Sequence, residues 1–160
     1  MDLILWRHAE AVDHPDLERG VPGDARDLAR RLTPRGEKQA ARVAAWLDRQ
    51  LPEGAKVYVS PAERTQQTAA ALGRKQRLRD ELLPEAQADA VLKLVGWPDA
   101  RSPVVVVGHQ PTLGQVVAQL LGLPEGDCPI RKGSVWWLRQ RERGGRLQTV
   151  IVTVQTPELL

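Results

Sequence analysis

The stretch Leu3-Ile4-Leu5-Trp6-Arg7-His8-Ala9-Glu10 decides the fold, because an apolar segment of strand type ends there abruptly in a cation and an imidazole. A run that is apolar throughout predicts a strand over residues 2–6 that is covered on both faces. Side chains alternate along a strand, so Trp6 is expected to point away from the site that the strand reaches. The stretch therefore predicts a buried strand that carries Arg7 and His8 to the edge of a sheet.

Two later segments repeat this pattern, in which an apolar strand is followed at once by a basic or imidazole residue and a helix signal. Residues 57–61 lead to Arg64, and residues 104–108 lead to His109. If the three strands are neighbours in one sheet, their ends surround a single point. The residues that such a sheet brings together are Arg7, His8, Arg64 and His109.

The composition indicates one globular domain over residues 1–160, with residues 156–160 expected to fray. The chain is 42% hydrophobic and 27% charged, with a net charge of +3, which is typical of a soluble protein. No block of Lys and Arg is long enough to indicate nucleic-acid binding. A single cysteine excludes an internal disulfide and a cysteine-cluster zinc site. No signal peptide or membrane-spanning run is visible, so we expect a cytoplasmic protein that does not bind a membrane.

Apolar spacing and breaker residues predict the elements of the chain. Strands are predicted over residues 2–6, 56–59, 103–108, 134–139 and 147–154, the last two joined as a hairpin across Gly144-Gly145. Helices are predicted over residues 34–51, 61–72, 85–95 and 111–121. Thr33 is expected to cap the first helix and Ser60 the second, the latter in a capping box with Glu63. Residues 74–81 read as a charged connection, and residues 11–31 as a long loop with a helical turn near residues 25–30.

The alternation of strands and helices predicts an α/β fold. We expect a three-layer α/β/α sandwich whose sheet is mostly parallel and carries an antiparallel C-terminal hairpin at one edge. Ligands of such sheets bind beyond the carboxyl ends of the strands. Arg7, His8, Arg64 and His109 all lie at carboxyl ends, which is the physical reason to group them.

The chemistry of the four residues points to phosphate. Two guanidiniums that converge on one point need a dianion to offset their repulsion, and arginine offers planar, bidentate donors matched to phosphate. Two imidazoles in one pocket can divide the work, because an unprotonated one can attack phosphorus while the other donates to the phosphoryl oxygens. A metal pair is disfavoured, since no carboxylate or third histidine lies at ligand spacing.

Four segments of the chain resemble the histidine phosphatase superfamily, the phosphoglycerate-mutase-like proteins, in the right order and at plausible spacing. They are Leu5-Trp6-Arg7-His8-Ala9-Glu10, Leu32-Thr33-Pro34-Arg35-Gly36, Ser60-Pro61-Ala62-Glu63-Arg64-Thr65-Gln66-Gln67-Thr68 and Val107-Gly108-His109-Gln110-Pro111. The short chain and the lead-in from Arg30 to Thr33 are similar to the SixA-type phosphohistidine phosphatases in particular. Gly36 is expected to be a backbone-permissive turn residue rather than a contact.

The resemblance implies a role for each matching residue. His8 would be the nucleophile that forms a phosphohistidine intermediate, Arg7 and Arg64 would clamp the phosphoryl group, and His109 would complete the pocket. Arg30 would lie at the substrate edge. No metal and no other cofactor is implied. Ala9 stands where the family usually has glycine, which leaves less room beside the nucleophile.

Four carboxylates are candidates for the general acid that protonates the leaving group. Glu81 is the best match by position to the carboxylate of larger family members, with Asp80, Glu85 and Glu10 as lesser candidates. SixA-type members often lack an evident acid. A phosphoramidate explains that, because its leaving imidazole is less basic than an alkoxide and needs less help from a proton donor.

Three functions stay open from the sequence. The first is a phosphatase that removes the phosphoryl group from a phosphohistidine on a protein partner, as in signal transduction. The second is a phosphatase for a small phosphorylated metabolite or nucleotide, with residues 11–31 as walls around the substrate. The third is a non-catalytic phosphate-binding regulatory domain, which has no need of a nucleophile such as His8. His14 lies in the polar loop, either in solvent or at the pocket edge.

A mutase is disfavoured, because no enclosing lid is recognisable.

Overall fold

The computed structural model describes residues 1–13 and 23–160. The strands are β1 (Asp2–Arg7), β2 (Lys56–Val59), β3 (Gln76–Leu78), β4 (Val104–Gly108), β5 (Val135–Arg143) and β6 (Arg146–Gln155). The helices are α1 (Ala25–Leu28), α2 (Pro34–Gln50), α3 (Glu63–Ala70), α4 (Ala88–Val95) and α5 (Thr112–Leu121). Short 3-10 turns cover Asp80–Leu82 and Pro157–Leu159. Within the described residues, no helix is long and apolar enough to cross a bilayer.

The six strands form one sheet in the order β3-β2-β4-β1-β5-β6. The first four strands of this order are parallel, β5 is antiparallel to β1, and β6 is antiparallel to β5. This is the mostly parallel sheet with a C-terminal antiparallel edge that the sequence predicts. The hairpin turns at Gly144 and Gly145, whose φ angles of 59° and 77° are readily adopted by glycine.

Helices cover both faces of the sheet, so the predicted three-layer sandwich is confirmed. Apolar residues of α2 and α3 pack on one face, and those of α4 and α5 pack on the other. The side chains of β1 explain why its run is continuously apolar: Leu3, Ile4, Leu5 and Trp6 are all 0% exposed and alternate between the two faces. Each such buried side chain contributes about 1.5–3 kcal/mol relative to its exposed state.

The start of α2 packs against the segment that follows β1. Thr33 caps the helix as predicted, with its hydroxyl oxygen accepting the Gly36 backbone N–H at 3.0 Å. Gly36 itself is not the predicted turn residue, because it lies inside α2 and faces the backbone of Glu10. A Cβ at position 36 would collide with the Glu10 carbonyl oxygen. Glycine is therefore required there by the close approach of two backbones.

The capping box predicted at Ser60 is wrong. Helix α3 begins at Glu63 with Ala62 as its N-cap residue, and no side chain caps it. The Ser60 hydroxyl instead contacts the His109 imidazole at 2.8 Å. The capping pattern therefore predicts correctly that a helix begins near residue 62, but the partner of Ser60 is His109 and not the backbone of that helix.

Two other boundaries differ from the sequence prediction. Residues 76–78, taken as part of a charged connection, form the edge strand β3, because backbone pairing with β2 needs little apolar surface at an edge. The helix expected over residues 85–95 begins only at Ala88. Glu85 has a φ of 68°, a left-handed conformation that an α-helix cannot contain.

The C-terminal residues pack against the domain rather than fraying entirely. Pro157 is buried in the 3-10 turn Pro157–Leu159, whereas Leu159 is 82% exposed. Pro157 lies against Gly133, at which an added Cβ would come within 2.9 Å of the proline Cγ. Residues 156–160 are therefore partly anchored, because a proline ring fills the space that Gly133 leaves open.

Candidate active site

The ends of three neighbouring strands form one edge of a cavity. In the β1–β4 pairing Arg7 lies opposite Gly108, and in the β2–β4 pairing Val59 lies opposite Val107, so the three strands end almost level. The cavity has a volume of about 470 Å³. Its lining residues are Arg7, His8, Asp13, Asp27, Arg30, Arg64, Pro84, Glu85, His109, Gln110, Pro111 and Lys132. The four residues grouped from the sequence therefore meet here, together with Arg30.

His8 presents one particular nitrogen to its surroundings. Its Nδ1 lies 2.7 Å from the Ala9 carbonyl oxygen. A carbonyl oxygen only accepts, so Nδ1 must carry the proton. Burial lowers the pKa of His8 to about 3, and the charges of Arg64, Arg7 and Arg30 act in the same direction while the Ala9 hydrogen bond opposes them. His8 is therefore neutral near pH 7, with the free electron pair of the ring on Nε2.

His109 is the second buried imidazole of the cavity. Its ring centroid lies 5.4 Å from that of His8, with an angle of 54° between the ring planes. Burial lowers the pKa of His109 to about 2, assisted by the nearby charges of Arg64, Arg7 and Arg30. Its Nε2 contacts the Ser60 hydroxyl at 2.8 Å. Both imidazoles are thus uncharged in the folded protein near neutral pH.

The loop before β5 holds the Arg7-His8 pair. The Gly133 N–H donates to the carbonyl oxygens of Arg7 and His8 at 3.1 and 2.9 Å, and the Trp6 indole N–H donates to the Gly133 carbonyl oxygen. The Arg7 guanidinium donates through Nη1 to the Ile130 carbonyl oxygen at 2.6 Å. Trp6 points into the core, as predicted, and its one polar atom fixes the loop that orients Arg7.

Helix α3 is tied to the strand end through Thr68. The Thr68 hydroxyl donates to the Arg64 carbonyl oxygen at 2.8 Å and accepts the Ala9 N–H at 3.1 Å. The side chain of the preceding residue, Gln67, accepts the Leu32 N–H at 2.7 Å. The helix that carries Arg64 is therefore held against both the His8 segment and the residues before α2.

Arg64 is paired with Asp27, a residue that the sequence reading did not single out. The Arg64 side chain is 4% exposed, and it donates through Nη1 to the Asp27 carbonyl oxygen at 2.7 Å and through Nη2 to the Asp27 carboxylate at 3.2 Å. Burial alone would raise the pKa of the Asp27 carboxyl. The Gly23 N–H, Arg64 and Arg30 outweigh that effect and hold this pKa below its ordinary value. Asp27 is therefore an anion that partly balances the guanidiniums of the site.

Arg30 links the Asp27 carboxylate to residues 12 and 13, at the start of the predicted loop over residues 11–31. It donates to the Asp27 carboxylate at 3.2 Å, to the Val12 carbonyl oxygen at 2.8 Å and, at 3.4 Å, to the exposed Asp13. Antiparallel backbone pairing of Ala11 with Leu32 brings the two ends of the loop together. The predicted loop over residues 11–31 thus begins and ends beside the cavity, and α1 supplies the helical turn expected near residues 25–30.

Three buried polar atoms of the cavity have no hydrogen-bond partner among the described residues. They are Arg7 Nε, Arg64 Nε and His109 Nδ1. Burying a donor without a partner is costly, so such atoms are rare unless a ligand or water completes them. Two guanidiniums with unused N–H donors, beside an imidazole nitrogen without a partner, form a site suited to an anion.

The carboxylates near the cavity do not include the predicted one. Glu81 is exposed on the 3-10 turn Asp80–Leu82 and is not among the lining residues. The lining contains Asp13, Asp27 and Glu85 instead. Asp27 is held ionised by its partners, which makes it unsuited to donate a proton. His14 lies outside the described residues. No group of three or more potential metal ligands occurs in residues 1–13 and 23–160.

A larger cavity, of about 750 Å³, lies around residues 51–57 and 74–77, away from the histidines. Its Arg74 donates to the carbonyl oxygens of Pro52 and Leu51 and to the Asp48 carboxylate. This arginine satisfies carbonyl groups at the end of α2, which is a structural role. The chemistry of the chain is therefore centred on the smaller cavity.

Asp27 had a signal in the sequence. Asp24 and Asp27 are three residues apart at a predicted helical turn, and Asp27 is three residues before Arg30, a spacing at which side chains on one helix face pair. Asp24 indeed caps α1 by accepting the Asp27 N–H at 2.8 Å. The contact to Arg64 lies 37 residues away in the chain, and no local pattern predicts it.

The fold and the site define an α/β protein whose ligand cavity lies at the carboxyl ends of parallel strands and is built from two arginines and two histidines. The chain belongs to the histidine phosphatase superfamily (branch 1), which matches residues 3–88. A relative from Mycobacterium leprae (strain TN), uncharacterized protein ML1117, is 34% identical over 118 residues, which are 72% of this chain and 71% of the relative.

Two solved structures resemble the whole chain. The candidate phosphohistidine phosphatase SixA of Nakamurella multipartitia is 30% identical, with a TM-score of 0.73 over 98% of this chain and 95% of that chain. The protein histidine phosphatase SixA complexed with tungstate is 24% identical, with a TM-score of 0.76 over 99% of both chains. The resemblance to this superfamily inferred from four sequence segments is thereby confirmed.

The pKa values of the two histidines predict how stability depends on pH. Both are lowered from 6.5, to about 3 and about 2, so the unfolded chain takes up protons below pH 6.5 that the folded protein does not bind. The free energy of unfolding is thus expected to fall as the pH is lowered from 7.5 to 5, by up to about 1.4 kcal/mol per pH unit for each histidine. Urea unfolding in phosphate-free buffer measures it. His8→Gln and His109→Gln should each flatten the slope, and an unchanged slope in both variants contradicts the assignment.

The buried Asp27–Arg64 pair predicts a large cost for its loss. Asp27→Asn leaves the guanidinium without its charged partner and should lower the free energy of unfolding by about 3 kcal/mol. The matched control is Asp13→Asn, because the Asp13 side chain is 93% exposed and its ion pair with Arg30 is screened by water. Chemical denaturation at pH 7 compares the two variants. Equal stability of both would show that Asp27 does not hold Arg64 in place.

Proposed function

We propose that this protein is a phosphatase that works through a covalent phosphohistidine at His8. The observation that carries the proposal is the state of His8, whose Nδ1 proton is bound by the Ala9 carbonyl so that the Nε2 electron pair is free. A neutral imidazole with a free electron pair is a nucleophile over the whole physiological pH range. Membership of the histidine phosphatase superfamily supports the same reading.

The other cavity residues supply the electrostatic part of the reaction. Arg7 and Arg64 bind the phosphoryl oxygens, and His109 donates a hydrogen bond to them. His8 Nε2 attacks phosphorus, the bond to the leaving group breaks, and water then attacks the phosphohistidine to release phosphate. Charge on the phosphoryl oxygens is held in each transition state, so fixed donors lower both barriers.

We infer that the substrate is a phosphohistidine on a protein partner. Two of the three described carboxylates that line the cavity support this, because Asp27 is ionised by its partners and Asp13 is exposed and paired with Arg30. A phosphoramidate has a less basic leaving group than an ester and can react without a strong general acid. The similar structures also carry the names phosphohistidine phosphatase and protein histidine phosphatase.

A small phosphate ester is the second candidate, and Glu85 is the observation that favours it. Glu85 lines the cavity, is exposed, and is held in a left-handed conformation with φ of 68°. Strained backbone of this kind is often found at functional positions. A carboxyl there could protonate an alkoxide leaving group, the role that the sequence reading gave to Glu81.

Turnover without added metal separates the two substrates. One substrate is a phosphotransfer domain phosphorylated on histidine, and the others are a panel of small phosphomonoesters. We expect the protein substrate to have the higher kcat/KM and Glu85→Gln to leave its turnover unchanged. Faster turnover of one ester, lost in Glu85→Gln but not in Glu81→Gln, would establish the ester reading.

Replacing His8 tests the chemistry itself. His8→Ala should abolish turnover while inorganic phosphate still binds, because Arg7 and Arg64 remain. Titration calorimetry measures the binding and thermal denaturation checks the fold. Arg64→Ala, in contrast, should weaken phosphate binding and slow turnover together. A wild-type protein that binds phosphate but turns over no substrate would instead be a regulatory phosphate-binding domain.

A further inference from the structure

Ser60 and His109 form a buried pair beside the candidate nucleophile. Strands β2 and β4 are neighbours, and Val59 lies opposite Val107, so the residues that follow the two strands are side by side. Ser60 is 0% and His109 3% exposed. The Ser60 hydroxyl lies 2.8 Å from His109 Nε2, and His109 Nδ1 has no partner among the described residues.

The hydrogens of this pair can be placed by counting donors and acceptors. The neutral imidazole carries one proton for two nitrogens. If Nε2 donated to Ser60, the serine proton would have no acceptor among the described residues, and Nδ1 would present a bare electron pair to an anion site. If Ser60 donates to Nε2, its own proton is satisfied and the imidazole proton lies on Nδ1. The Ala62 N–H, 3.4 Å from the serine oxygen, is compatible with a hydroxyl that donates elsewhere.

We propose that Ser60 is a positioning residue: its hydroxyl donates to His109 Nε2 and thereby keeps the imidazole proton on Nδ1, from which His109 donates to the phosphoryl oxygens. This inference rests on the proposed function, because the Nδ1 proton needs a phosphoryl group in the cavity to receive its hydrogen bond. His109 keeps its proton throughout the reaction, and no bond to Ser60 forms or breaks.

The two histidines are then assigned opposite tasks by their outer partners. The Ala9 carbonyl binds the proton of His8 at Nδ1 and frees Nε2 for attack. Ser60 occupies the electron pair of His109 at Nε2 and leaves the Nδ1 proton free to donate. The partner of His8 is a carbonyl, which only accepts a hydrogen bond, so His8 keeps a free electron pair and can act as the nucleophile. The partner of His109 is a hydroxyl, which can donate, so His109 keeps a free N–H and can act as the hydrogen-bond donor. The partner of the second nitrogen generally decides which atom of an imidazole is protonated.

The direct test is ¹⁵N NMR of the full chain labelled at its three histidines. His109→Gln identifies the His109 signals by their disappearance. We expect Nδ1 of His109 to give the signal of a protonated nitrogen and Nε2 that of an unprotonated one, and this preference to be lost in Ser60→Ala. Protonation at Nε2 in the wild-type protein, or an unchanged tautomer in Ser60→Ala, overturns the proposal. Because this test needs no turnover, it stays separate from a failure of the proposed function.

A double-mutant cycle tests whether Ser60 acts through His109. Ser60→Ala should lower kcat/KM roughly tenfold in the wild-type background, because the hydrogen bond of His109 to the phosphoryl oxygens is weakened but not removed. It should have no further effect in His109→Ala. An equal loss in both backgrounds would show that Ser60 acts independently of His109. If turnover of His109→Ala is too slow to measure, the same cycle is read from the Kd of inorganic phosphate.

Two further variants guard against a loss of fold. Ser60→Cys keeps the size and a weak donor, so its kcat/KM should lie between those of wild type and Ser60→Ala. Ser134→Ala removes another buried hydroxyl, one without a partner among the described residues, and should leave the His109 tautomer and the activity unchanged. Ser60→Cys as inactive as Ser60→Ala, with both folded, would contradict a role for the donated proton.

Discussion

The repulsion between the half-buried Arg7 and the buried Arg64 is the constraint on which the site depends. Arg7 and Arg64 share one cavity, and burial together with the charge of Arg64 lowers the pKa of Arg7. Asp27 offsets part of this repulsion, and carbonyl oxygens such as that of Ile130 satisfy further N–H groups. The two histidines are neutral, chiefly because they are buried and also because the neighbouring arginines disfavour a further positive charge. The cavity is therefore electropositive before any ligand binds. A dianion can bind with little rearrangement of the surrounding side chains.

The same charges explain the architecture around them. Guanidiniums that repel one another stay close only if rigid elements hold them. Here Arg7 is fixed by the Ile130 carbonyl oxygen, and Arg64 is fixed by both the carbonyl oxygen and the carboxylate of Asp27. Arg7 ends a strand that is buried on both faces, and Arg64 lies on a helix joined through Thr68 to the segment after that strand. The hydrophobic core thus holds these elements in place, because helices pack on both faces of the sheet.

Local patterns predicted the parts of the fold that local physics controls. The continuous apolar runs of β1 and β4 and the Thr33-Pro34 helix start were readable because burial and capping act over a few residues. Convergence of the strand ends followed from a general property of parallel sheets. Asp27 was missed because its partner Arg64 is distant in the chain, and Ser60 was misassigned because a serine before proline looks like a cap whether or not an imidazole lies within reach. Glu81 illustrates the converse case, since its position matches a pattern but the structure places it on an exposed turn outside the cavity lining, so its role as acid stays a prediction.

The packing of the buried Pro157 limits where a tag can be attached to this protein. Pro157 packs on Gly133, and Gly133 holds the carbonyl groups of Arg7 and His8. Pro157 therefore packs behind the segment that carries the reacting groups. Removing Pro157, or crowding it with a bulky tag, would disturb its packing on Gly133, which is one hydrogen bond away from His8, so a tag belongs on a spacer that leaves this turn intact.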